Sequence, residues 1–127
     1  MPYEYDDQNI FAKILRGEIP NRTVVETEHC LAFHDIHPQA PVHVLVIPKG
    51  AYVNFDHFGA EATAAEITDF TRTVAKLAAD LGVAPDGGGG YRLIANSGEA
   101  AIQEVPHMHV HILGGRPLGD ILAKAAS

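Results

Sequence analysis

His107-Met108-His109-Val110-His111-Ile112-Leu113-Gly114-Gly115 is the stretch on which the reading of this chain turns. Three of the eight histidines fall within it at every-other spacing, with Met108, Val110 and Ile112 between and after them. That alternation has the period of a β-strand, whose side chains point to opposite faces in turn. One face then carries three imidazoles, spaced about 6.5–7 Å along the strand, and the other is apolar and packs on a core. On a helix the same residues would fan apart. A row of imidazoles suits proton, metal or phosphoryl chemistry, and three readings stand side by side. The strand is simply rich in histidine; or two or three ring nitrogens converge on a metal, with His43 and Glu104 to help; or one imidazole attacks phosphorus while a neighbour steadies the phosphate.

Working outward, residues 42–47 are nearly all apolar and read as a central strand covered on both faces, ended by Pro48. Residues 22–26 and 30–34 read as strands joined by a hairpin turn at 27–29, and residues 91–95 as another strand. Asn9 or Asp7 caps a short helix with Ile10, Phe11, Ile14 and Leu15 on one face and Gly17 as its stop. Between residues 59 and 81 the apolar positions 67, 70, 74, 77 and 81 predict one long amphipathic helix. The expectation is an α+β domain: a five-stranded antiparallel sheet, one short N-terminal helix and one long helix.

Composition bounds the rest. A chain of 127 residues, 46% apolar and 20% charged, is one soluble globular domain, 1–127. No apolar run reaches the length of a membrane span, and the first residues lack the pattern of a secretory signal. The single cysteine, Cys30, excludes an intrachain disulfide and a Cys-pair zinc site, and fits a reducing cytoplasm. A net charge of −7 offers no footprint for duplex nucleic acid, though a few local donors suffice for one phosphate.

The histidine stretch resembles the His-φ-His-φ-His-φ-φ signature of the histidine triad superfamily, φ being apolar. The segment from Ala32 through Phe33-His34-Asp35-Ile36-His37-Pro38 to Lys49 is similar to the second diagnostic segment of its nucleotide-binding (HINT) branch. Ile10-Phe11-Ala12-Lys13-Ile14-Leu15-Arg16-Gly17-Glu18-Ile19-Pro20 resembles that branch's first helix, and Gly114-Gly115-Arg116-Pro117-Leu118-Gly119 its sequel to the triad. The likeness covers residues 9–119 with all motifs in order.

The resemblance implies a hydrolase of purine nucleoside 5′-phosphoramidates or acyl-nucleotides, acting through a nucleotidyl-histidine without cofactor or metal. It implies His109 as nucleophile and His111 as hydrogen-bond or proton donor, with His107 and His43 in support. Phe33, His34, Asp35 and Ile36 match the nucleoside pocket, Asp35 accepting from the ribose hydroxyls. Asn96 and Gln103 match polar residues on the phosphate side, and Glu104 and Val105 are expected to bind substrate with them. It further implies a homodimer whose sheet continues across the interface. Within the superfamily the alternative is a dinucleoside polyphosphate hydrolase; outside the enzymes, a nucleotide-binding adaptor with incidental turnover.

Two departures bear on the phosphate side. Ala101-Ile102 stands where the family commonly has Gly-Gly, which admits φ > 0 and close backbone approach. Glu104 stands where serine is common, and Pro106 replaces an aromatic. A carboxylate near a phosphate repels it, so either the Glu104 backbone N–H binds with the side chain turned away, or the residue acts on the leaving amine.

Overall fold

Val42–Pro48, the strand β3, is buried along almost its whole length because both of its faces are covered. The computed structural model describes residues 3–123. In it β1 (Thr23–Glu26), β2 (Cys30–His34), β3, β4 (Tyr91–Ile94) and β5 (Val110–Gly114) form one sheet in the order β1-β2-β3-β5-β4. Every pairing is antiparallel, as expected from the hairpin-dominated sequence.

The period-2 rule sorts residues between two cores. Ala32, Val44, Val46, Met108, Val110 and Ile112 meet Phe70, Val74, Leu77 and Ala78 of the long helix on one face. Leu31, Phe33, Leu45 and Ile47 meet Phe11 and Ile14 of the short helix on the other. The three triad histidines alternate with the first set and so share the side of the short helix. That helix, α1 (Ile10–Leu15), starts at Asn9, whose side chain accepts from Ala12 N at 2.9 Å, and is followed by Gly17 at φ +79°.

The single long helix expected over residues 59–81 is two helices. The first, α2 (Phe55–Glu61), is capped by Asn54; the second, α3 (Ala64–Asp80), begins at Thr63. Thr63 and Glu66 form a reciprocal capping box, Thr63 Oγ1 accepting from Glu66 N and Glu66 Oε1 from Thr63 N. The Thr-x-x-Glu pattern satisfies orphan amides at a fresh helix start, so it ends the preceding helix against the apolar periodicity.

The triad strand is also shorter than its alternation suggests. Ladder pairing with β3 stops at Val46–Val110 and with β4 at Ile94–His111, leaving His107 in a bend and His109 in unpaired chain before β5. Past the strand, Gly115 adopts φ +95°, and a Cβ there would lie 2.8 Å from Pro41 Cβ, so this turn admits only glycine. Among the described residues no helix is long and apolar enough to cross a membrane.

Candidate active site

Sheet register assembles the site. Phe33 on β2 faces Leu45 on β3, Leu45 faces His111 on β5, and His111 faces Ile94 on β4. His43, two residues before Leu45, lies diagonal to His111 and reaches it: His43 Nε2 and His111 Nδ1 are 2.9 Å apart. The ring centroids of His109 and His111 are 5.1 Å apart, and Phe11 of α1 sets its edge against His109 at 5.0 Å.

The backbone dictates where each ring proton sits, because a carbonyl only accepts and an amide N–H only donates. His109 Nδ1 lies 2.7 Å from its neighbour's carbonyl, His107 O, so Nδ1 carries the proton and Nε2 keeps its lone pair. Gln39 N donates to His43 Nδ1 at 3.0 Å, which leaves the His43 proton on Nε2, facing His111 Nδ1. His111 must then carry its proton on Nε2. His107 Nε2 donates to Pro48 O at 2.8 Å, and its Nδ1 accepts from the Tyr5 hydroxyl at 2.6 Å. One free imidazole lone pair and one imidazole N–H therefore stand side by side.

Both line a cavity of about 500 Å³ together with Ile10, Phe11, Ile14, Phe33, His34, Asp35, Ile36, Leu45, Asn96, Glu104 and Val105. The expected nucleoside residues are thus brought together with the histidine pair. Phe33 and Val105 serve the apolar core below the cavity as well. His107, fully buried, and His43, nearly so, stand behind the wall, in contact with it through their neighbours. Gln103 stands apart from the cavity: its amide donates to Val53 O and Val105 O, and its Oε1 accepts from Gly98 N, bracing the loop that carries Glu104. Asp35 turns Oδ1 to His37 N at 2.7 Å and Oδ2 toward His43 Nε2 at 3.4 Å. Sequence reading passed over Phe11 and Tyr5, whose contacts with the triad span about a hundred residues of chain and leave no local pattern.

Ile102 occupies φ +57°, the one non-glycine residue with positive φ among those described. The backbone conformation that glycine would supply is therefore kept with isoleucine in place, its side chain 71% exposed on the cavity rim. A β-branched residue pays in strain for that region, so the geometry is imposed by the loop around it.

Asp35, His43 and His111 each offer a donor atom within 4.8 Å of the others, the one group among the described residues able to hold a metal ion. The 2.9 Å between the two imidazole nitrogens is a hydrogen-bond distance. Two nitrogens on one tetrahedral zinc stand roughly 3.3 Å apart, given bonds of about 2.0–2.1 Å. As arranged, these residues fit a proton relay better than a ligand set.

Burial lowers all four site histidines. His107 falls to about 4 for that reason, and His111 to about 4 through burial first and then the charges of His109 and His43. His109 is lowered by burial, opposed by the His107 carbonyl; His43 is lowered by burial, opposed by Asp35. The His109 ring is consequently held neutral below the ordinary imidazole range. The stability consequence has a definite sign. Between the ordinary imidazole value of 6.5 and about 4, the unfolded chain binds protons that His107 and His111 refuse when folded. Stability is full above pH 6.5 and falls as pH drops through that window. Urea midpoints measured from pH 7 to 4.5 should decline, and a His107→Asn variant should decline less; equal slopes would contradict the assignment.

A family model described as HIT domain matches residues 16–118. An uncharacterised 13.2 kDa HIT-like protein of Azospirillum brasilense is 56% identical, over 98% of this chain and 99% of that protein. The purine nucleoside phosphoramidase of Escherichia coli K12 is 44% identical, over 92% and 95%. Among solved structures, a HIT family hydrolase from Clostridium thermocellum superposes with a TM-score of 0.77 at 40% identity, covering 92% of this chain and 99% of that one. A histidine triad protein from Clostridium difficile gives 0.78 at 34% identity, covering 94% and 100%.

Proposed function

Since this chain belongs to the HIT domain family, we propose that it is a hydrolase that cleaves the P–N bond of purine nucleoside 5′-phosphoramidates through a nucleotidyl-His109 intermediate. The observation that carries this reading is His109 Nδ1 held by its neighbour's carbonyl, with Nε2 free toward the cavity.

The base lies among Ile10, Ile14, Phe33 and Ile36, and Asp35 accepts from the ribose hydroxyls. Nε2 of His109 attacks the α-phosphorus, the N–P bond breaks, and the leaving nitrogen takes from His111 Nε2 the extra proton that the His43–His111 pair holds when substrate is bound, which returns the pair to its neutral form. The phosphorylated imidazole is cationic, and its Nδ1–H remains on the His107 carbonyl, which stabilises that charge. Water then attacks phosphorus, His109 departs as a neutral ring, and the water proton returns through His111. The proton taken in the first half is thus replaced in the second. Asp35 beside His43 and the substrate's own phosphate favour that shared proton on the His43–His111 pair.

No Lys or Arg stands among the residues lining the cavity, while Asp35 and Glu104 do. Such a wall suits one phosphate with a neutral or cationic leaving group and is poorly matched to the added charges of a polyphosphate chain. Purified protein, exhaustively chelated, is expected to hydrolyse adenosine 5′-phosphoramidate far faster than diadenosine polyphosphates and at the unchelated rate. A preference for polyphosphates, or loss of activity restored by zinc, would overturn the reading.

The protein works as a homodimer. β4 is an open sheet edge, and beside it Phe55, Phe58, Ile67, Phe70, Val74 and Leu93 line an apolar groove; a second copy paired at β4 would extend the sheet and cover both.

A further inference from the structure

The segment before α1 crosses to the triad and ends a hydrogen-bond chain there. Tyr5 O–H donates to His107 Nδ1 at 2.6 Å, across 102 residues of sequence, with the two rings edge to face at 5.6 Å. His107 is thereby held at both ring nitrogens, by Tyr5 on one side and Pro48 O on the other, and is fully buried. The same residue's carbonyl accepts the Nδ1 proton of His109 at 2.7 Å. A ring clamped at both ends fixes χ1 and χ2 of His107 and so restrains the peptide that carries that carbonyl. The nucleophile's aim and tautomer are set by a group whose own position ends at Tyr5. Burial pushes the Tyr5 phenol up, so it remains a donor throughout the range in which the imidazoles are neutral.

We propose that Tyr5 is a positioning residue for the nucleophile: its hydroxyl locks His107, whose carbonyl holds His109 in the attacking tautomer. This rests on His109 being the nucleophile, yet it can be read without any substrate.

Tyr5→Phe keeps the ring and removes the hydroxyl, with its bond to His107 and its contact with Asn9. Its kcat on adenosine 5′-phosphoramidate should fall about tenfold, the effect of losing one hydrogen bond. Binding of adenosine monophosphate should stay within about twofold, which also reports a folded pocket. Tyr3→Phe is the control for docking of the same segment: Tyr3 binds Asp56 and Asn54, far in sequence from the triad, and its loss should leave kcat within about twofold. On a His107→Asn background the Tyr5→Phe effect should vanish if Tyr5 acts through that ring, and should persist if it acts through its other polar neighbour, Asn9, which caps α1. By NMR, the His109 Nδ1 proton should exchange with solvent slowly in the parent protein and about tenfold faster in Tyr5→Phe. That signal tests the positioning even if the phosphoramidate is not a substrate, so the two readings fail separately. Parent-like kcat and exchange in Tyr5→Phe would overturn the proposal. So would an equal loss in Tyr3→Phe, or an undiminished Tyr5 effect on the His107→Asn background.

Discussion

His109→Ala is expected to reduce phosphoramidate turnover by at least about 10³-fold, the scale of removing a sole nucleophile. Affinity for nucleoside monophosphate should change by no more than a few fold. The separation follows from the geometry. Nε2 of His109 is the only ring nitrogen of the triad left with a free lone pair toward the cavity. In the proposed reading the base and ribose are held by Phe33, Asp35, Ile36 and the α1 residues Ile10 and Ile14, which line the cavity and make no ring contact with His109. Truncation also removes the edge contact with Phe11, and the small void left at the cavity floor is open to water. Steady-state kinetics and calorimetric titration of the variant read the two quantities independently. Near-normal turnover would exclude covalent catalysis at this residue.

Asp35→Ala should weaken adenosine monophosphate by about ten- to a hundredfold, since hydrogen bonds to a charged acceptor are each worth ~1.5–3 kcal/mol. The structure gives this carboxylate two duties. Oδ1 accepts from His37 N and so braces the loop after β2, while Oδ2 faces His43 and the cavity. A comparison of nucleotides separates them. If the carboxylate takes both ribose hydroxyls, 2′-deoxyadenosine monophosphate should lose less, because one contact is already missing. Equal losses would mean that Asp35 only supports the loop, and no loss for either would remove it from the site.

Much of this architecture was legible because the alternation of residues 107–113 is strict. The sorting of Met108, Val110 and Ile112 to the α3 side, and of the three histidines to the other, holds even where the ladder ends at Val110. Side-chain alternation outlasts the ladder here, because ladder pairing needs a partner and neither β3 nor β4 pairs with residues 107–109. The break between α2 and α3 was hidden because apolar periodicity continues through it, although Thr63 and Glu66 spell a helix start by themselves. Ile102 shows the opposite case: a sequence departure that suggested a changed loop sits in the backbone conformation expected of glycine. The ring tautomers could not be read at all, because they depend on Gln39 N, Pro48 O and the His107 carbonyl, main-chain groups common to every residue type.

The central claim is a covalent nucleotide on His109, and rapid-quench single turnover tests it most directly. Enzyme in excess over adenosine 5′-phosphoramidate, quenched under alkaline denaturing conditions and digested, should yield a peptide spanning residue 109 that carries one nucleotidyl group on His109. The adduct should rise and decay at rates that account for product release of monophosphate. Product formed at the full rate with no adduct at any time, or an adduct on His107, His111 or His43 instead, would contradict the account.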